Sequence, residues 1–416
     1  MSISQNFPDI SPSLNLNFAG ARKLDSRITF TRGSTGTYMD DNGLIRTAGI
    51  NQARFDHSYD GSDIESLGLL IEESRVNYAL YSNDYTQSTS TINASVVANT
   101  TIAPDGTQTA STITSSSGSA QHGSTKNTTG LPIDSICSLS VFVKAGTSNY
   151  CRVDSANVTN WSSNAGIAVN LTNGSIISGS GTVVSFPNGW YRITIFPTTN
   201  SSSGVTRGLW VWVSDSSGNS TTTAVGTESI NVWGAQIEAG AFPTSYIPTS
   251  GSTATRSADN ASITGTNFSS WYNQSEGTTV VECENVGTKS SNFQVPIGYR
   301  SDLLSSATTI EVFQQNGSFY YLVRLTDPLD DQVGINVNMS STINSYIRYS
   351  FAYKENDFGY FINNTLYTDS SGSLPSGIDE AAIGSNGNTT RLNGHIRRIS
   401  YYPKRLTNIQ LQELTK

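Results

Sequence analysis

The sequence predicts an all-β chain built of antiparallel sandwiches, and three observations carry that expectation. Short runs with period-two alternation recur along the chain, each bounded by Gly, Pro, Asn or Ser. Helical periodicity is nearly absent. Charged residues make up only 13% of the chain, against roughly 25% in ordinary globular domains, while 36% hydrophobic and 10% aromatic residues leave ample material for cores. That is the reverse of a disordered composition, and it leaves Ser, Thr and Asn to wet the surface.

Taken in order, residues 1–85 form a first block. It carries the turn signals Asp41-Asn42-Gly43 and Asp60-Gly61 and much of the local charge, including Glu72, Glu73 and Arg75. Residues 86–252 form a second, Ser/Thr/Asn-rich block with four β-rich runs: SLSVFVKAG (138–146), GWYRITIFP (189–197), RGLWVWVS (207–214) and SINVWGAQIE (229–238). Strands at this spacing describe an antiparallel sandwich. The polar stretch 253–267 is expected to be a connector, its approach stiffened by Pro243 and Pro248. Residues 268–416 form the last block. It ends in one short helix, in which Thr407 caps Asn408 to Leu414 and Ile409, Leu411 and Leu414 make the apolar side.

A chain of 416 residues and 44.6 kDa accommodates two to four such domains. The 24 Lys and Arg against 32 Asp and Glu give a net charge of −8, with no dense basic run. Nucleic acid and anionic membranes are therefore poor partners, because phosphate binding needs clustered cations. The N-terminal run has neither a cationic start nor an apolar core, so no signal peptide is read there. No apolar stretch approaches the roughly 18 residues of a membrane span. Cys137, Cys151 and Cys283 show no zinc spacing and are expected to be reduced and buried. If 139–144 and 149–154 make a hairpin about Gly146, Cys137 and Cys151 fall out of register. Asn-x-Ser/Thr triplets at Asn127, Asn157 and Asn338 are expected by chance in so Asn-rich a chain.

Three segments carry a family resemblance. The run SLNLNFAGARKLDSRITFTRGSTGTYMDDNGLIRTAG with RFDH (54–57) and LGLLIEESRVNYALYSNDY (67–85) resembles the opening module of bacteriophage tail-fibre-type virion proteins. WGAQIEAGAFPTSYIPTSGSTATRSADN (233–260) resembles the end of the carbohydrate-binding-module-like jelly roll that follows it there. FAYKENDFGYFINNTLYTD (351–369), the Ala-Ile-Gly turn at 382–384 and LNGHIRRISYYPKRLTNIQLQEL (392–414) resemble concanavalin A-like, laminin-G-type lectin domains. The resemblance implies a β-rich N-terminal module, then a jelly roll and a concanavalin A-like sandwich. It also implies a virion component, located on a phage appendage or surface, that contacts other virion proteins through its N-terminal block and assembles as a homotrimer.

Concanavalin A-like folds include glycoside hydrolases, which need two carboxylates roughly 5–10 Å apart. Glu282 and Glu284 share a strand face, but the longer glucanase pattern Glu-x-Asp-x-x-Glu has Glu284 at its Asp and Gly287 at its last Glu, so a catalytic acid is missing. An ion pair with Arg397 or Arg398 accounts for them better. Of the three histidines His57, His122 and His395, none accompanies a Gly-x-Ser-x-Gly elbow, and His395 reads as a sheet residue. RFDH is expected to be structural, as a polar turn or a subunit contact.

Sugar binding suits the composition, because aromatic rings stack on pyranose faces and Asn, Asp, Gln and Arg bond hydroxyls. In RGLWVWVS, Leu209, Val211 and Val213 share one face and leave Trp210 and Trp212 on the other. That second face is core, a subunit contact or a glycan platform. Trp161, in the turn-like NVTNWSSN, is the loop candidate for ligand or partner contact. Trp190 and Trp233 are expected to be structural, and Trp271 and Tyr272 to staple the start of the last domain. Asp327, Asp330 and Asp331, with Asp105 and Asp215 in other loops, have calcium-type oxygens but no ligand pattern. No metal or cofactor is therefore assigned. The expectation is a non-enzymatic appendage subunit that binds host surface polysaccharide through Trp161, Trp210 and Trp212. A purely structural capsid or tail protein and a glycan depolymerase are the alternatives.

Overall fold

A computed structural model describes residues 6–284, 294–301, 309–315, 318–324, 331–338, 346–385 and 391–416. The central block is a jelly-roll-like sandwich of two antiparallel six-stranded sheets. One sheet runs Thr182–Phe186, Trp190–Ile195, Cys137–Ala145, Ser229–Ala239, Ala110–Ser115, Ala94–Thr101. The other runs Ser175–Gly179, Gly166–Asn170, Tyr150–Ala156, Arg207–Val213, Gly123–Thr128, Ser90–Ile92. Alternation decides what lies between them. Leu139, Val141, Val143, Ile193, Val232 and Ile237 of the first sheet meet Val153, Ile167, Val169, Leu209, Val211 and Val213 of the second, all buried. All four runs expected as strands are strands, within one to two residues.

The expected hairpin about Gly146 does not form. Cys137–Ala145 and Tyr150–Ala156 belong to opposite sheets, so the chain crosses the sandwich there. Cys137 and Cys151 are both free and buried in the same core. Burial pushes the Cys137 thiol up to about 11, which leaves it protonated and inert at neutral pH.

The last block is a second sandwich, and here the division at residue 85 needs correcting. Residues 1–85 do not fold as a module of their own. Leu14–Asn17 pairs with the later part of Gly394–Tyr402 and Ile64–Ile71 with its first residues, with Phe55–Tyr59 outside the latter. These first-block strands complete an eight-stranded sheet with Glu276–Glu284, Tyr346–Lys354, Phe358–Ile362 and Thr365–Asp369. Thr29–Thr31 joins the opposing seven-stranded sheet through Asn260–Thr264. Gly36–Met39 and Ile45–Ala48 form a hairpin outside the two large sheets.

The expected connector 253–267 is likewise structured. Ala254–Arg256 pairs with Arg75–Asn77, and Asn260–Thr264 is a sheet strand. The physical reason is that, among the described residues, Gly394–Tyr402 and Glu380–Ile383 each have one edge that no strand of 268–416 pairs with; first-block strands cover the former and Asn260–Thr264 the latter. Trp271 and Tyr272 do staple this sandwich. They are buried against Phe268, Tyr299 and Tyr401, with ring centroids 4.5 to 6.2 Å apart. The terminal helix Asn408–Glu413 has the expected Thr407 cap as a full capping box with Gln410. Its apolar stripe is narrower than expected: Leu411 is buried against Phe361 and Tyr402, while Ile409 is exposed.

The first block, the exit of the jelly roll and the 253–267 segment meet at a buried ionic cluster. Arg54, in RFDH, donates to Glu72 at 2.6 Å and to Asp259 at 2.5 Å. Arg32 adds a bond to the other Asp259 oxygen at 3.1 Å, and Arg256 stands 3.0 Å from Glu72. Glu72 also accepts the Ser245 backbone N–H at 2.8 Å and its hydroxyl at 2.7 Å. Arg32, Arg54 and Asp259 have fully buried side chains. RFDH is thus structural, as expected, but as an internal ion-pair partner rather than a turn or a subunit contact. Burial would raise the Glu72 carboxyl, yet Arg256 and Arg54 together with the Ser245 bonds hold it well below the usual carboxylate range. Its contribution to stability is therefore present above the ordinary carboxylate pKa and lost only as pH falls through the depressed value.

Glu72→Gln keeps the shape but leaves two buried guanidinium groups short of counter-charge. It should cost about 3–5 kcal/mol in denaturant unfolding at pH 7. A surface control such as Glu65→Gln, whose side chain is 63% exposed, should stay within about 0.5 kcal/mol.

Candidate functional site

The outer face of the second jelly-roll sheet carries a groove of about 510 Å³. Its floor follows from strand register. Trp212 lies between Gly123 and Arg152 on neighbouring strands, and Trp210 between Thr125 and Asp154. Beyond Arg152 and Asp154 come Ala168 and Gly166. Leu209, Val211 and Val213 face the core, so the two tryptophans are held on the outer side, where their rings stack at 4.2 Å with planes 11° apart. Of the three roles open to that face, it is not the sandwich core. Gly123 makes the arrangement possible, since a Cβ there would stand 2.5 Å from the Trp212 ring. Trp212 is nearly covered, and Trp210 remains half-exposed.

Polar groups line the rest of the groove. Arg152 Nε donates to Asp154 at 2.8 Å, and its Nη1 donates to the Gly218 carbonyl at 3.1 Å. Gln121, Asn157 and Asn164 border the opening with their side chains exposed. Arg152 and Asp154 were not among the sequence candidates. Their signal was present, because in Tyr150–Ala156 the buried Cys151 and Val153 alternate with them, but which tryptophan each would meet depends on cross-strand register.

Trp161 is not at this site, and its expected role as a loop contact is corrected. It is 5% exposed and packs in the jelly-roll core, with its indole N–H donating to the Ala156 carbonyl at 2.7 Å and the Arg207 guanidinium 5.8 Å from its ring centroid. The segment before it is turn-like, but Trp161 opens the short strand Trp161–Ser163, which pairs with Thr198–Thr199 and turns the ring inward, where one bond satisfies its only donor. Trp190 and Trp233 are buried, as expected.

The carboxylates weighed for hydrolysis have ionic partners. Glu282 pairs with Arg348 at 2.7 Å and lies 3.7 Å from Arg397, one of the two arginines anticipated; Arg348 was not. Gly287, Asp327 and Asp330 lie outside the described residues. Asp331 pairs with Arg324 at 2.6 Å, Asp105 accepts the Thr107 N–H at 2.9 Å, and Asp215 accepts that of Ser217 at 2.9 Å. Among the described residues no three His, Cys, Asp or Glu side chains gather as a metal site.

No protein-family model and no curated protein matches the chain. Among solved structures, it is similar to the sialidase CBM40 of Ruminococcus gnavus bound to α2,3-sialyllactose, at 16% identity and a TM-score of 0.31, over 36% of this chain and 86% of that one. It is similar to the binding domain of botulinum neurotoxin DC in complex with SialylT at 10% identity and a TM-score of 0.29, over 38% and 39%. Mouse laminin α1 domains LG4-5 match at 9% identity and a TM-score of 0.22, over 68% and 84%.

His395 is a strand residue, as expected, but it joins a cluster that the sequence did not reveal. Its Nδ1 lies 2.6 Å from Glu284 and its Nε2 3.0 Å from Asp56, so one imidazole bridges the first block to the last. Burial would lower its pKa, but bonds to the two carboxylates outweigh this and raise it to about 9. A raised folded-state pKa stabilises fully below the unfolded value near 6.5, and that contribution disappears as pH climbs through about 9. Lys126, depressed to about 8 by burial, acts in the opposite sense between there and the unfolded lysine value of about 10.4, overlapping the upper end of this window. The informative quantity is therefore the difference between wild type and His395→Gln. Urea midpoints should show a gap between the two proteins at pH 6 that closes by pH 10; a gap independent of pH would exclude the ionised bridge.

Proposed function

We propose that the chain is a non-enzymatic subunit of a bacteriophage appendage that adheres to host surface polysaccharide through the Trp210–Trp212 groove. The observation that carries this is the stacked indole pair on an outer sheet face, bordered by neutral amides and one internally paired arginine. A rigid aromatic shelf with hydrogen-bonding groups at its edge is what a pyranose needs, with its apolar face down and its hydroxyls outward. Phage origin rests on the tail-fibre-type segments at 13–49, 54–57, 67–85 and 233–260. These carry Arg54, Glu72, Ser245, Arg256 and Asp259, the residues of the buried junction. A homotrimeric assembly, with contacts to other virion proteins through the first block, belongs to the same reading. Each groove would bind weakly, and useful adhesion would come from repeated copies.

The test uses the full chain on an array of bacterial surface polysaccharides and oligosaccharides, alongside Trp210→Ala. Wild type should bind at least one glycan. The variant should lose about tenfold or more in affinity, as expected for an aromatic anchor, with its unfolding midpoint little changed because Trp210 is only half-buried. Binding that survives Trp210→Ala would move the site elsewhere, and shortening of glycan chains during incubation would make the protein an enzyme.

A further inference from the structure

Resting on the glycan reading of the groove, we infer that the Arg152–Asp154 pair selects a neutral sugar by bonding two adjacent hydroxyls, and that it rejects sugars bearing a carboxylate. The pair uses only part of its capacity internally. Arg152 spends Nε on Asp154 and Nη1 on the Gly218 carbonyl, and Asp154 accepts with Oδ2. Arg152 Nη2 and Asp154 Oδ1 have no hydrogen-bond partner among the described residues. Both side chains are about a quarter exposed, at 25% and 23%. A donor and an acceptor are thus left facing the groove.

Gly166 shows where they meet. A Cβ on this residue would stand 2.1 Å from Asp154 Oδ1 and 2.9 Å from Arg152 Nη2. The two free atoms therefore lie side by side over the Gly166 backbone, a close approach possible because that residue has no side chain. Gly166 opposes Asp154 directly, and Asp154 opposes Trp210. A pyranose stacked on Trp210 would project its edge over Asp154 towards these two atoms. Neighbouring ring hydroxyls lie about a hydrogen-bond length apart, so one can accept from the guanidinium while the next donates to the carboxylate. Such charge-assisted bonds are the strong ones.

Charge decides the class of sugar. Arg152 and Asp154 are the ionised side chains lining the groove; the others are neutral. An acidic sugar would bring its carboxylate beside Asp154 and would find the only cation already paired. Like charges in so small a space disfavour binding, and the rejection comes from the Asp154 oxygen itself.

The experiment compares full-length protein on matched neutral and acidic oligosaccharides, the latter carrying uronic or sialic acid, and on deoxy analogues lacking one hydroxyl of a vicinal pair. Wild type should favour the neutral member by about tenfold or more and lose a comparable factor with a deoxy analogue, the range for bonds to charged groups. Asp154→Asn should weaken neutral binding and narrow the neutral-to-acidic ratio. Gly166→Ala is the second variant. Its methyl would meet only side-chain ends, those of Arg152 and Asp154, and no backbone, so it should fold as wild type and still lose binding by displacing the pair. Trp210-dependent binding that favours acidic glycans, or that ignores Gly166→Ala and the deoxy analogues, overturns the selectivity while leaving the glycan site standing. The absence of Trp210-dependent binding to any glycan overturns both.

Discussion

Burying three arginines and two carboxylates is tolerable only if every charge finds a partner, and in this chain the partners come from three stretches of sequence, the last two close together and far from the first. Arg32, Arg54 and Glu72 come from the first block, Ser245 from the exit of the jelly roll, and Arg256 and Asp259 from the segment before the second sandwich. No one block could bury its share alone, because an unpaired charge inside a protein costs several kcal/mol. The cluster forms only when all three stretches are together. It thereby makes the first block part of the second sandwich and sets the jelly roll beside it. Arg75 extends the junction through Glu73 and the Ala239 carbonyl, stacking over Phe242 at 4.5 Å. Arg391 reaches the Asp259 backbone at 2.6 Å from the other end of the chain.

This junction gives physical content to the segments that resemble tail-fibre-type proteins. RFDH, IEESR and SYIPTSGSTATRSADN look like unrelated polar stretches in the sequence, yet they hold Arg54, Glu72, Ser245, Arg256 and Asp259. Their chemistry serves cohesion. The groove lies elsewhere, on the outer face of the jelly-roll sheet, and its side chains are held by register and stacking. Trp210 against Trp212, and Arg152 tied to both Asp154 and Gly218, have given up most of their freedom on folding rather than on binding. A weak, repeated contact benefits most from such preorganisation, since little further ordering opposes it.

Alternation made one half of the site legible and the absence of register hid the other. RGLWVWVS alone shows that Trp210 and Trp212 share a face opposite Leu209, Val211 and Val213, and the structure keeps that division. Arg152 and Asp154 alternate with buried residues just as plainly. Nothing local says that their strand lies beside the tryptophans, because pairing between residues more than fifty apart is set by the packing of two sheets. Trp161 shows the converse error. Its turn-rich surroundings suggested exposure, but it starts a short paired strand and the ring completes the core.

By itself, then, the sequence determined the all-β class, the four central strands, the capped terminal helix and the buried state of the thiols, since each depends on local periodicity, capping or composition. Only the tertiary structure decided that residues 1–85 complete the last sandwich, that 253–267 is built of strands, and that Arg54 and His395 each bridge carboxylates from other parts of the chain. Strand edges and buried charges are satisfied by whichever distant segment reaches them, and that choice is made by the whole fold rather than by any window of residues.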